Sequence, residues 1–218
     1  MDDIYGPLYY QLNKIYQFLS KSSDHFYYPD QNEVTWESIQ ATYKYYLVDP
    51  PLRNEMDDFF ELLRLYNQGN SQRTRIADEK LLPHLRNAYG QDVQTAMYQV
   101  AALQPNGMPT VLAGSTLGWP ILSGEHPLEF TKKQYPGLTN YRLELSLQKH
   151  GQVQPLFTVN TPNPELESKF EEVLRVTINE VKKDQRIILV EEQRRMLIAQ
   201  ATSLKEKLRI KTEEPWRV

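Results

Sequence analysis

The hydrophobic positions of this chain recur mainly at helical spacing. Leu8, Leu12, Ile15 and Leu19 fall on one face of a 3.6-residue period and predict a helix opened by Gly6-Pro7. A loop follows through Ser23 to Val34. Thr35 is then placed to cap a second helix with Trp36, Ile39, Tyr43 and Leu47 on one face, ended by Asp49-Pro50-Pro51. A third helix carries Leu52, Met56, Phe59, Leu63 and Tyr66 in register, with Phe60 widening the stripe. Beyond Gln68-Gly69-Asn70 the pattern weakens. Ile76, Leu81, Leu82 and Leu85 predict a helix interrupted near Pro83 and closed by Tyr89-Gly90. Asp92 can cap another, because Val93, Met97, Val100 and Ala101 repeat at helical spacing up to Pro105.

Residues 105–164 break this rhythm, holding six of the nine Gly and eight of the fourteen Pro. Tyr141 to Gln148 alternates without exception, with Tyr141, Leu143, Leu145 and Leu147 on one face, as a half-buried antiparallel strand requires. His150-Gly151 is the expected turn, and Val153 to Val159 can return beside it. Pro155 cannot donate to a ladder and so places that strand at an edge. Thr110–Ala113 and Trp119–Leu122 are shorter strand candidates, giving a sheet of three or four strands.

From Glu165 to Glu214 there is neither Gly nor Pro, and the stretch opens on Asn163-Pro164, an N-cap followed by a first-turn proline. Phe170, Leu174, Ile178 and Val181 form one stripe. Val190, Leu197, Ala201, Leu204 and Leu208 form a second at the spacing of a helix–helix seam. The first stripe turns polar at Lys182 to Arg186, where the helix breaks, hands its contact face to a new partner, or simply drifts around one core as it curves. The expected fold is α+β and mainly helical. An N-terminal helical region (1–104) precedes a small antiparallel β insertion (105–164), and a long C-terminal helix or helical hairpin (165–218) packs on the N-terminal helices.

Composition narrows the function classes. The chain has no Cys, which removes disulfides, thiolate catalysis and Cys-ligated metal centres and fits a reducing compartment. It begins Met1-Asp2-Asp3 without a basic-then-apolar leader, and its longest aliphatic run is Ile187 to Val190, so a cytoplasmic protein off the membrane is expected. The net charge of −3 is unevenly spread: residues 1–104 carry 9 Lys/Arg against 14 Asp/Glu, and residues 165–218 carry 12 against 11. Arg194, Arg195, Lys205, Arg209 and Lys211 gather near the end, where they could follow a phosphate backbone or simply be a solvated helix face.

No motif rises to a catalytic signature. His25, His84, His126 and His150 are scattered without the i, i+4 partner of a helical zinc site. Gly114 to Gly118 lacks the Gly-Lys-Ser/Thr ending of a phosphate loop, and Ser115 is outside a G-x-S-x-G elbow. Glu125, Glu129, Lys132 and Lys133 could assemble a carboxylate–lysine site or form a solvated loop. Ten of the fourteen Tyr lie in the first 66 residues, and the adjacent pairs Tyr9-Tyr10, Tyr27-Tyr28 and Tyr45-Tyr46 cannot both turn inward. The leading expectation is a non-enzymatic interaction or scaffold protein needing no cofactor. It would meet a protein partner or a second copy through Val190, Leu197, Leu204, Leu208, Tyr9, Tyr10, Tyr45 and Tyr46. Nucleic-acid association through the basic end is the alternative, and an enzyme with its site in the β-rich insertion is a third.

Overall fold

A computed structural model describes residues 2–21, 35–158 and 160–213 and shows an α+β fold. The chain divides into two units, one from Met1–Ser71 with Ile188–Val218 and the other from Gln72–Ile187. The expected loop at Ser23 to Val34, with His25, Tyr27 and Tyr28, and the terminal Trp216 lie outside the described residues.

The first unit is helical. Helix α1 (Asp2–Lys21) starts ahead of the expected Gly6-Pro7 and runs through Pro7. Ile4 and Tyr5 extend the buried stripe of Leu8, Leu12, Ile15 and Leu19, and their burial favours the added turn. The expected helix from Trp36 to Leu47 is two short ones, α2 (Trp36–Gln40) and α3 (Lys44–Leu47). The Thr42 hydroxyl explains the break: it donates to the Ile39 carbonyl at 3.0 Å and accepts from the Lys44 N–H at 3.3 Å, competing with the helical ladder. Helix α4 (Pro50–Ser71) buries Leu52, Met56, Phe59, Phe60, Leu63 and Tyr66, and it continues through Gly69-Asn70.

The Gln72–Ile187 unit joins helices to a sheet. Helix α5 (Arg73–Tyr89) keeps Pro83 inside it and is closed by Gly90 at φ 115°. The expected helix behind Asp92 is instead strand β1 (Val93–Leu103), so the sheet begins before residue 105. Val93, Met97 and Val100 fit a helical period, but Ala96, Tyr98, Val100 and Ala102 also fit a period of two, and those four are buried, as is Val93 ahead of a register shift against β3. Strand β2 (Pro109–Thr116) follows. Trp119–Leu122, expected as a strand, lies in helix α6 (Gly118–Ser123), which buries Gly118, Pro120 and Ile121 and ends on Gly124 in the left-handed region. Helix α7 (Pro127–Gln134), strand β3 (Thr139–Lys149) and strand β4 (Gln152–Phe157) come next. All pairings are antiparallel in the order β2-β1-β3-β4, so β4 with Pro155 is at an edge. His150 at φ 49° and Gly151 at φ 75° make the turn between β3 and β4.

Helix α8 (Pro164–Val181) begins where Asn163 Oδ1 accepts the Leu166 N–H at 3.2 Å, and its stripe of Phe170, Leu174 and Val181 joins a core with Tyr98, Leu145 and Phe157. The helix breaks at Lys182 to Asp184. There Asp184 Oδ1 accepts the Arg186 N–H at 3.0 Å, capping helix α9 (Gln185–Glu213). Hydrogen bonding to the Arg186 side chain holds the Asp184 carboxyl down at about 2.

Candidate functional site

Val190, Leu197, Leu204 and Leu208 are interior residues. They are at most 4% exposed and share one core with the apolar faces of α1 and α4, which corrects their assignment to a partner interface. Packing is close: a Cβ on Gly69 of α4 would stand 2.7 Å from Val190 Cγ2. The seam spacing of the second stripe is met inside the chain.

The basic end is largely engaged in the same way. The Arg194 guanidinium donates from Nε to the Leu19 carbonyl at 2.8 Å and lies 3.6 Å from Glu191. Lys205 Nζ donates to Asn13 Oδ1 at 2.6 Å and sits 4.4 Å above the Tyr16 ring. Arg209 pairs with Glu206 at 2.6 Å. Arg195 and Lys211 are exposed. In the other unit, Lys132 pairs with Glu129 at 2.6 Å and Lys133 with Glu125, so these four form two neighbouring ion pairs rather than one centre. Among the described residues, no group of three His, Asp or Glu is gathered to hold a metal.

Two arrangements remain. The first is the α2–α3 segment. Thr35 and Ser38 form a capping box at its start. Trp36, fully buried, stacks on Phe60 with centroids 6.4 Å apart and donates its backbone N–H to Gln11 Oε1 at 3.0 Å. Asp57 of α4 ties the segment down: its carboxylate accepts from Trp36 Nε1 at 2.9 Å, Gln40 Nε2 at 2.7 Å and the Tyr45 hydroxyl at 2.6 Å. That last bond holds the Tyr45 phenol above its ordinary value. Val48 turns inward at 1% exposure.

Between these anchors, Tyr43, Tyr46 and Leu47 stand outward at 72%, 77% and 59% exposure. The Arg53 guanidinium lies 4.9 Å from the Tyr45 ring centre and 5.9 Å from that of Tyr46. Of the expected contact tyrosines, Tyr46 belongs to this surface and Tyr45 is its half-buried base. Tyr10, 55% exposed on α1, carries Lys14 at 4.8 Å over its ring, and Tyr9 is half-buried. Sequence reasoning missed Tyr43, Leu47 and Arg53, because helical periodicity put Tyr43 and Leu47 on the buried face. The readable signal was Thr42, a residue whose hydroxyl favours ending a helix over continuing it.

The second arrangement is a cleft of about 280 Å³ where His126, Tyr141, Arg142, Glu167, Phe170 and Glu171 converge. Its chemistry is partly spent on helix ends. His126 Nδ1 accepts the Leu128 N–H at 3.3 Å and Glu167 Oε1 accepts the Asn163 N–H at 3.2 Å. Burial pushes the His126 imidazole below its ordinary value, against the opposing pull of Glu171. Tyr141 donates its hydroxyl to the Tyr135 carbonyl.

Compared with known proteins, the chain matches no family model, no curated protein and no solved structure. Among the described residues, no helix is long and apolar enough to cross a membrane.

Proposed function

We propose that this is a non-enzymatic interaction or scaffold protein of the cytoplasm, whose α2–α3 segment takes a partner protein. The observation that carries the reading is the outward display of Tyr43, Tyr46 and Leu47 on a segment fastened at both ends by Trp36 and Val48. A loose loop could fold such side chains away, whereas a fastened one keeps their apolar surface in water until something covers it. Tyrosine and arginine together are also the residue types on which binding energy concentrates. Arg53 has no carboxylate within ion-pair distance among the described residues, so the expected partner brings an apolar anchor beside an Asp or Glu. The cleft supports an enzymatic reading less well, since His126 and Glu167 each have a polar atom committed to a backbone N–H.

The test places a photoreactive phenylalanine at position 46 of the full chain, with position 200, exposed on α9, as the control. Irradiation in the source cells should give a discrete adduct from position 46 that disappears with Arg53→Glu and with Tyr43→Ala. Equal adducts from both positions, or an adduct indifferent to both substitutions, would sink the proposal.

A further inference from the structure

The two edges of the sheet are unequally protected. Strand β4 carries Pro155 in its middle, a residue with no N–H to donate to a ladder. Strand β2 has its proline at the first position, Pro109, and then offers backbone groups along its length. The devices that normally blunt an edge are a lysine, a mid-strand proline, a bulge or extreme shortness. Here the chain from Val93 to Gly124 contains no Asp, Glu, Lys, Arg or His. The register shift opposite Met97 and Gln99 distorts only the far end of β2, leaving Pro109 to Ala113 in continuous register with Leu103 to Gln99. Val111, at the centre of that regular stretch, is 61% exposed.

We infer that β2 pairs antiparallel with β2 of a second copy, joining two four-stranded sheets into one of eight. The occupant follows from charge. A charged foreign peptide is selected at an edge by complementary charge, and an edge without ionisable groups supplies none. The same neutrality makes two-fold self-pairing free of like-charge repulsion. A two-fold axis at Val111 sets the two Val111 side chains opposite each other, a favourable β-branched pair, and places Pro109 opposite Ala113 of the second copy. Pairing over so short a stretch covers less than the ~1,600 Å² of a standard interface, so association in the micromolar range is expected.

Sedimentation velocity of the full chain from a few micromolar to several hundred micromolar tests this. The 25.6 kDa chain should pass to a species of twice that mass. Val111→Lys and Val111→Glu should each weaken association at least tenfold while leaving the circular dichroism spectrum unchanged. An equimolar mixture of the two should restore it, because Lys then faces Glu. Tyr46→Ala should leave the mass distribution as it is, which separates this contact from the α2–α3 surface. A monomer at every concentration overturns the inference. So does a dimer indifferent to both charges, a mixture no tighter than its components, or a dimer lost with Tyr46→Ala.

Discussion

In the helical unit, Leu8 and Leu12 near the start of the chain share a core with Leu197 and Leu204 near its end. In the Gln72–Ile187 unit, by contrast, the core is closed by one continuous run of chain, from Ile76 on α5 to Ile187. The difference decides what the long C-terminal helix is for. A helix with a second apolar stripe looks like an arm reaching for a partner, but its stripe is one wall of a core whose other walls were made at the opposite end of the chain. The segments proposed for outward contact are those that spend little on the core. The α3 turn, which buries none of its own residues, is one, and the uncharged β2 edge is another.

Breaking the shared wall should have the largest effect. Leu197 is fully buried, and Leu197→Ala should cost about 3 kcal/mol through lost burial and the cavity left behind. Urea denaturation measures the loss. Hydrogen exchange localises it: amide protection should fall in α1 and α4 while β1 and β3 keep theirs, and an equal fall in both units would erase the contrast between them. Next in size is Asp57→Ala, expected to cost about 2 kcal/mol because it strips the acceptor from the part-buried indole N–H of Trp36 and from the Tyr45 hydroxyl. The same variant should loosen α3 and weaken any adduct formed at position 46. Full protection of α3 in that variant would mean that Trp36 and Val48 hold the segment without it.

The two units also differ in how far their sequence could be read. The helical unit was legible wherever a stripe was long and undiluted, as from Leu52 to Tyr66, since side chains on one face at a 3.6-residue period have few other uses. It misled at Tyr43 and Leu47, where a hydroxyl at Thr42 overrode the period. In the other unit β3 was plain from its alternation, but β1 was not. Its Ala96 and Ala102 are small enough to suit either period, and Met97 and Ala101, on the other face, happen to complete a helical spacing with Val93 and Val100. Four-residue apolar runs such as Trp119–Leu122 carry too little length to choose between strand and helix. The exposed tyrosine surface was half visible. Periodicity could announce surplus tyrosines, but which of them face outward depended on Asp57, a partner twelve residues beyond Tyr45 that no local pattern reveals.

Gly69 sharpens the contrast at the level of one methyl group. Within a helix, Gly→Ala ordinarily gains about 1 kcal/mol. At this position the new Cβ would stand 2.7 Å from Val190 Cγ2, and a β-branched side chain has little rotameric freedom to retreat. Gly69→Ala should therefore destabilise the helical unit by about 1 kcal/mol net, and Gly69→Ala with Val190→Ala should recover part of what Val190→Ala alone loses. A stabilised single variant would show that α4 and α9 part easily, and that the shared core is looser than its burial implies.

The smallest effect lies in the Gln72–Ile187 unit and concerns pH. His126 sits at the N-cap of α7 with Glu171, Glu129 and Lys132 as its charged neighbours, and burial lowers its affinity for a proton relative to the unfolded chain. A group whose folded value is depressed contributes stability that is present above its unfolded value, about 6.5, and lost as pH falls through the folded one. Asp184 does not blur that window. Its carboxyl, held at about 2 in the fold, stays ionised in both states above about pH 5, so its own contribution is lost only in stronger acid. Thermal melts at pH 7.5 and 5.0 should show the wild type losing more stability than His126→Asn, which keeps an oxygen to accept the Leu128 N–H but takes up no proton. At pH 7.5 the two should agree within about 0.5 kcal/mol, because Asn caps helices well. Parallel acid losses in the two proteins would mean that the imidazole is solvated and that the cleft around it is open to water.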